Sequence, residues 1–249
     1  MGRPLHATWL GRVPYVDAWR MQEAVATRVR DGGAERLLLL EHDPVYTIGR
    51  RGTTDHLLVG PDVLRAAGAS VYRVDRGGDI TYHGPGQLVG YPITAFAEGA
   101  DLVAYVRAIE EALRDALASY GVASRTEPGK TGVWVDLQGG SQVAKIAAIG
   151  VRISRGITTH GFALNVSTDL AAFDRVLPCG FQHEVASLRR LGVSADVSEV
   201  GARCARTLAA RLGRDLLVDT SVEPPRDAEI PIDAPVRAAL NLLAEPLPA

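Results

Sequence analysis

Three β-rich segments follow one another between residues 132 and 166 with no helical stretch between them, and this most narrows the folds open to the chain. They cover residues 132–137, 143–153 and 157–166. The first two are separated by Gln138-Gly139-Gly140-Ser141-Gln142, whose turn composition predicts a hairpin. Strands joined by so short a link pair antiparallel, so a purely parallel sheet built from regular strand–helix alternation does not fit. Helices are predicted on either side. One follows Pro14, with Tyr15, Ala18, Trp19, Val25, Ala26 and Val29 on one face. A second spans residues 101–120, with Leu102, Val106, Ile109, Leu113, Ala116 and Leu117 as its stripe and Gly121 as its cap. A third covers 197–212 and leads into a strand near 216–219. The expected fold is α/β of the mixed, α+β-like kind: a mixed sheet flanked by helices.

The 249 residues suit one domain, read here as 1–222, followed by a proline-rich tail over 223–249 with a short helical piece around 236–243. A 47% hydrophobic content fills a core without disulfide or structural metal. The formal net charge of -2 gives no reason to expect nucleic acid. No apolar run approaches the ~18 residues of a membrane span, and no signal peptide is evident, so a cytoplasmic protein that does not enter membranes is expected. In that compartment the two cysteines, Cys179 and Cys204, read as separate thiols. The six histidines show no paired metal-ligand spacing.

Three segments are unusual for scaffold. The stretch Arg76-Gly77-Gly78-Asp79-Ile80-Thr81-Tyr82-His83-Gly84-Pro85-Gly86-Gln87 lies between strands predicted over 71–74 and 88–93. Its glycines let the backbone approach a ligand, and Arg76 and His83 are placed to meet a polar head group. The plainer reading is an elaborate loop with turn glycines, and the P-loop ending is missing. Lys145 sits in an apolar strand, where strict alternation puts it on one face with Val143, Ala147, Ile149 and Val151. An amine in such surroundings has its charged form disfavoured and can serve as a base. An edge-strand lysine reaching to solvent explains the same pattern. Cys179, in Pro178-Cys179-Gly180, lies in a turn outside any apolar face and is a candidate nucleophile. Cys204 fits an inert core position on the last helix. His160-Gly161-Phe162-Ala163-Leu164-Asn165 would line a narrow apolar slot or simply end a buried strand.

Together these segments resemble the octanoyltransferases of lipoate biosynthesis. The stretch from Arg76 to Gln87 is similar to the family signature nearly in full, and Lys145, Cys179 and the His160 segment follow in the family's order. The resemblance covers most of the chain and implies the fold of biotin and lipoate protein ligase catalytic domains. It implies that Cys179 takes the acyl group as a thioester and that Lys145 moves its proton. It also implies an acyl-binding pocket lined by Arg76, Gly77, Gly78, Asp79, Ile80, Thr81, Tyr82 and His83, by Ala148, Ile149 and Gly150, and by Gly161, Phe162 and Ala163. The implied donor is octanoyl-acyl carrier protein. The implied acceptors are apo-lipoyl domains of 2-oxoacid dehydrogenase complexes and the glycine cleavage H-protein, with no cofactor, neither ATP nor metal. One departure is Val185-Ala186-Ser187-Leu188, where the family commonly has Thr in place of Ala186; an effect on loop order is expected. The competing readings are an ATP-dependent lipoate or biotin protein ligase, for which Gly49-Arg50-Arg51-Gly52 faintly resembles an adenylate loop; a non-catalytic acyl-binding protein; and a thioesterase.

Overall fold

In the computed structural model of the chain, residues 2–137, 142–177 and 184–219 are described. An N-terminal strand that the sequence reading missed, β1 (Arg3–Arg12), is followed by helix α1 (Tyr15–Arg30) and strand β2 (Glu35–Glu41). β1 and β2 pair parallel, the crossover being made by α1. A smaller unit comes next: β3 (Val45–Ile48), α2 (Pro61–Ala66), β4 (Ser70–Arg73) and β5 (Ile80–His83). The chain then returns to the main sheet with β6 (Gln87–Ile93) and runs through α3 (Leu102–Ala118), β7 (Arg125–Glu127) and β8 (Lys130–Asp136). It continues with β9 (Val143–Ser154), β10 (Ile157–Asn165), α4 (Val197–Arg211) and β11 (Arg214–Asp219).

Eight strands form one mixed sheet in the order β11-β1-β2-β6-β10-β9-β8-β7, and three form a second sheet, β4-β3-β5. The antiparallel run β6-β10-β9-β8 confirms the mixed architecture expected from the sequence. Leu5, Leu37, Leu88, Phe162 and Leu164 pack on one face of the large sheet against Ile109, Leu113 and Leu117 of α3 and Val200, Cys204 and Leu208 of α4. The opposite face, with Leu38, Leu40, Val89, Tyr91 and Ala163, packs on Ala18, Ala26 and Val29 of α1. The small sheet has its own cluster, in which Tyr46, Ile48, Val71, Ile80 and Tyr82 surround Leu64. Tyr15 and Trp19 join Val45 and Val74, so α1 also braces the small sheet.

Two expectations change. The stretch 76–87 is not one long loop: Ile80 and Tyr82 alternate into the small-sheet core, and residues 80–83 pair antiparallel with β3. Strict alternation also fails in β9. Val133 pairs with Ala147, yet Trp134 pairs with Lys145, so Ile146 is an extra residue and the strand bulges there. Before the bulge Ala144 and Ile146 face the α3–α4 core; after it Ala147 does, with Ile149 and Val151 packed against the same cluster. The bulge therefore puts Lys145 on the face of Ala148 and Gly150, not with Ala147, Ile149 and Val151. The predicted turn at 138–142 lies outside the described residues except for Gln142, and so do Cys179, the boundary at 222 and the helical piece around 236–243.

Candidate functional site

A groove of about 1400 Å³ opens beside β9 and β10 and under the small sheet. It brings together nearly all the residues that the sequence singled out and the structure describes: Arg76, Gly77, Gly78, Asp79, Ile80, Thr81, His83, Lys145, Ala148, Ile149, Gly150, Gly161, Phe162 and Ala163. Tyr82 is the exception. As the neighbour of Thr81 and His83 on a strand it points the other way, packing against the rings of Tyr46 and Phe173. The lining residues that went unassigned from sequence include Tyr15, Gln87, Tyr91, His160 and Asn165. Gln87, His160 and Asn165 lay in motifs already noted, but nothing in their spacing told a lining side chain from a core one.

The 76–78 segment lies directly on β9, its Gly77 N–H donating to the Val151 carbonyl at 3.2 Å. Gly150 permits that approach, since a Cβ there would stand 2.9 Å from the Gly77 oxygen. Arg76 is anchored rather than reaching into solvent. Its Nη2 donates to the Thr47 carbonyl at 2.6 Å and to Thr47 Oγ1 at 2.8 Å, and Nη1 donates to the Gly77 carbonyl at 3.0 Å. Arg50 and Arg51 donate their backbone N–H groups to the Arg76 and Gly78 carbonyls, clasping the segment from outside. Asp79 accepts from His56 Nδ1 at 2.6 Å and from its neighbour Ile80 N–H at 2.7 Å, so it serves the loop's geometry.

Three buried imidazoles surround the floor. His42 donates Nδ1–H to the Val13 carbonyl at 2.8 Å and accepts the Tyr91 hydroxyl at Nε2, 2.7 Å away. Burial holds its pKa at about 4, although the Val13 bond opposes the shift. His83 is lowered to about 3 by burial first and then by the charges of His42 and Arg76. His160 also titrates below its ordinary value because it is buried, although Asp75 beside it pulls the other way. Burial works against ionisation of Asp75, but the His160 hydrogen bond and Arg152 outweigh it and leave its carboxyl below the usual range. The pair is thus a neutral imidazole donating Nε2–H to a carboxylate at 2.7 Å, with Arg152 on the carboxylate's other oxygen at 2.7 Å. His160 takes a left-handed φ of 57°, and its N–H donates to Gln22 Oε1 at 2.7 Å. That explains a glutamine buried on the apolar face of α1.

Lys145 stands at the far end of the lining. Its Nζ lies 4.6 Å from the centroid of the Trp134 ring, with Lys130 Nζ 5.4 Å from the same ring. Its main chain holds another segment: Lys145 N–H donates to the Glu184 carbonyl at 2.8 Å, and the Ala186 N–H donates to the Lys145 carbonyl at 2.9 Å. On the other side of Cys179, Val176 bridges Leu57, and Leu177 N–H donates to the His56 carbonyl. The Ala186 methyl is fully buried in the α3–α4 core, and the segment is held by these main-chain bonds together with the side chains of Asn165 and Arg190, with no hydroxyl needed at 186. Cys204 is buried in the same core, and burial pushes its thiol up to about 12. Among the described residues no cluster of three or more His, Cys, Asp or Glu is placed to hold a metal, and no helix is long and apolar enough to cross a membrane.

The lipoyl protein ligase A/B catalytic domain family matches residues 14–209. An octanoyltransferase of Solibacter usitatus (strain Ellin6076) is 47% identical over 215 residues, covering 86% of this chain and 95% of that protein. Among solved structures, a lipoate-protein ligase A bound with ATP superposes with a TM-score of 0.72 at 20% identity, over 90% of this chain and 91% of that one. A bi-partite lipoate protein ligase from Thermoplasma acidophilum gives 0.68 at 22% identity, over 90% and 88%. At such identities the two structures speak for the fold alone, and they share the mixed sheet flanked by helices.

Proposed function

The chain belongs to the octanoyltransferases of the lipoyl protein ligase A/B catalytic-domain family, and from that premise we propose that it moves an octanoyl group from acyl carrier protein to a lipoyl-domain lysine through a thioester on Cys179. The observation that carries this reading is the position of Lys145. Its side chain lines the groove, while its peptide bonds to Glu184 and Ala186. Val176 and Glu184, three residues before and five after Cys179, line the same groove.

Lys145 accepts the Cys179 thiol proton, and the Trp134 ring face stabilises the ammonium so formed. The thiolate attacks the octanoyl carbonyl; the carbon–sulfur bond to the carrier's thiol breaks and that sulfur leaves, taking a proton from Lys145. The acyl chain rests on Val89, Ala148, Gly161 and Ala163, where small side chains leave room for it. The acceptor's ε-amine then attacks the enzyme thioester and gives a proton to Lys145, the amide forms, and the cysteine sulfur leaves, taking that proton back as the thiol. Thioester exchange is near isoenergetic and amide formation from a thioester runs downhill, so the scheme calls for no ATP and no metal. The acceptors would be apo-lipoyl domains of 2-oxoacid dehydrogenase complexes and the glycine cleavage H-protein, met in the cytoplasm. Residues 1–222 would form the catalytic unit and 223–249 a tail.

The test is incubation with octanoyl-acyl carrier protein without ATP, followed by intact-mass and peptide mass spectrometry. The expected result is an octanoyl adduct on Cys179 that disappears when an apo-lipoyl domain is added. No adduct without ATP, but acyl-adenylate formation with it, would assign the chain to ATP-dependent ligation. A Cys179→Ala variant that still transfers would remove the covalent intermediate.

A further inference from the structure

The groove floor carries a directed chain of hydrogen bonds that runs from the head-group end to Lys145. Arg76 donates to Thr47 Oγ1. His83 Nε2 faces that hydroxyl at 3.5 Å, and its Nδ1 meets Gln87 Oε1 at 2.7 Å. Gln87 Nε2 donates to Asn165 Oδ1 at 2.9 Å and to the Tyr82 carbonyl at 3.3 Å. Asn165 Nδ2 donates to the Ala186 carbonyl at 3.0 Å, and Ala186 N–H donates to the Lys145 carbonyl at 2.9 Å. Each amide has one polarity that satisfies both its partners. Because Gln87 uses its oxygen toward His83, the imidazole must carry its proton on Nδ1 and leave Nε2 as the acceptor facing Thr47.

Gln87, Asn165 and His83 are all buried, so none of these bonds has water as a ready substitute. The other anchors of the 184–188 segment are main-chain bonds at Lys145 and at the end of β10, where Leu188 N–H donates to the Asn165 carbonyl, and the exposed Arg190, whose Nη1 donates to the Val185 carbonyl at 2.6 Å. Asn165 therefore grips the segment twice, by backbone and by side chain. Its side chain takes the Ala186 carbonyl, which lies between the Lys145 rung and the β10 rung.

We propose that Asn165, oriented by Gln87, is a positioning residue: by holding the Ala186 carbonyl it fixes the Lys145 peptide, and with it the Lys145 amine, against the groove. This rests on the assignment of Lys145 as the base. Asn165 touches no reacting atom; it acts through Ala186. Gln87 sets its orientation and links that orientation to the tautomer of His83.

The test uses Asn165→Asp in the full chain, which keeps the acceptor toward Gln87 and removes the donor toward Ala186. Two readouts are taken: amide hydrogen exchange, and kcat and KM for the acyl thioester. The expected result is exchange about tenfold faster at Lys145 and Ala186, with β10 amides such as Phe162 still protected. kcat should fall by about tenfold or more while KM stays within about twofold. Combined with Lys145→Met, the substitution should cause no further loss of kcat, because both act on the same amine. Unchanged exchange at Lys145 and Ala186, or faster exchange with kcat retained, would overturn the proposal. If Lys145→Met alone keeps full kcat, it is the base assignment that falls, and the exchange result still decides whether Asn165 holds the Lys145 peptide. Should the carboxylate prevent folding, Asn165→Leu removes the same donor without adding charge.

Discussion

Lys145 and Trp134 are direct partners across β8 and β9, and the lysine Nζ sits 4.6 Å from the indole centroid. The ring's quadrupole favours the ammonium over the amine, so it raises the affinity of Lys145 for a proton. Trp134→Leu removes that preference. The acidic limb of the kcat–pH profile should then move down by roughly half a pH unit to one unit. Loss of the buried ring should also cost about 2 kcal/mol of unfolding free energy in urea. A limb that stays in place would show that the ring only fills space.

Gly90 lies under the Phe162 ring, its partner across β6 and β10. A Cβ at Gly90 would stand 2.2 Å from Phe162 Cζ, so Gly90→Ala must push that ring aside. Phe162 lines the groove, and KM for the acyl substrate should rise several-fold, with about 1–3 kcal/mol of stability lost to overpacking. Steady-state kinetics on the variant check the first effect and denaturant unfolding the second. A normal KM would place the acyl chain elsewhere.

Cys204 is sealed in the core, and burial holds its thiol in the protonated form. Native protein should consume one equivalent of a thiol reagent, and denatured protein two. Cys204→Ala should retain transfer activity and lose about 1 kcal/mol of stability. Loss of activity with the fold intact would contradict a purely structural role.

The buried imidazoles make the fold acid-labile. His42 and His83 titrate at about 4 and about 3 in the folded state, against an unfolded value near 6.5. Between those values the unfolded chain binds protons that the folded chain refuses. Stability is therefore full above about pH 6.5 and falls as pH drops, by up to about 1.4 kcal/mol per pH unit for each histidine. Urea midpoints taken from pH 7 to pH 4.5 should show this slope, and His42→Gln should flatten it. An unchanged slope in that variant would mean that carboxylates, not imidazoles, set the acid limit.

What was legible in the sequence was periodic or compositional. The helices α1, α3 and α4 follow from their apolar stripes, whereas the N-caps of α3 and α4 went unread: Asp101 accepts the Val103 N–H at 2.7 Å, and Asp196 the Ser198 N–H at 2.8 Å. The glycine-rich stretch from Arg76 did mark a groove wall. The side-chain directions were not legible where the period breaks. One bulged residue at Ile146 reverses the face on which Lys145 stands, and no composition signals it. Tyr82 belongs to the signature yet packs away from the groove, because a four-residue strand intrudes where turn glycines suggested loop. β1 was missed although Leu5, Ala7 and Trp9 alternate with His6 and Thr8, a period-two pattern in which a small residue and a basic one dilute the signal.

The position of β1 has a consequence for how the molecule comes into being. β1 lies between β2 and β11, so Arg3 finds its outer partner in Arg214, more than two hundred residues downstream. A ribosome working at ~5–20 residues per second reaches β11 on the order of 10–40 s after it has made β1. Throughout that interval one whole edge of the nascent strand stands open, its peptide groups offered to any extended chain nearby. Translation speed over the whole stretch between β1 and β11, rather than any single contact in the finished fold, sets how long the newborn protein is exposed to wrong partners.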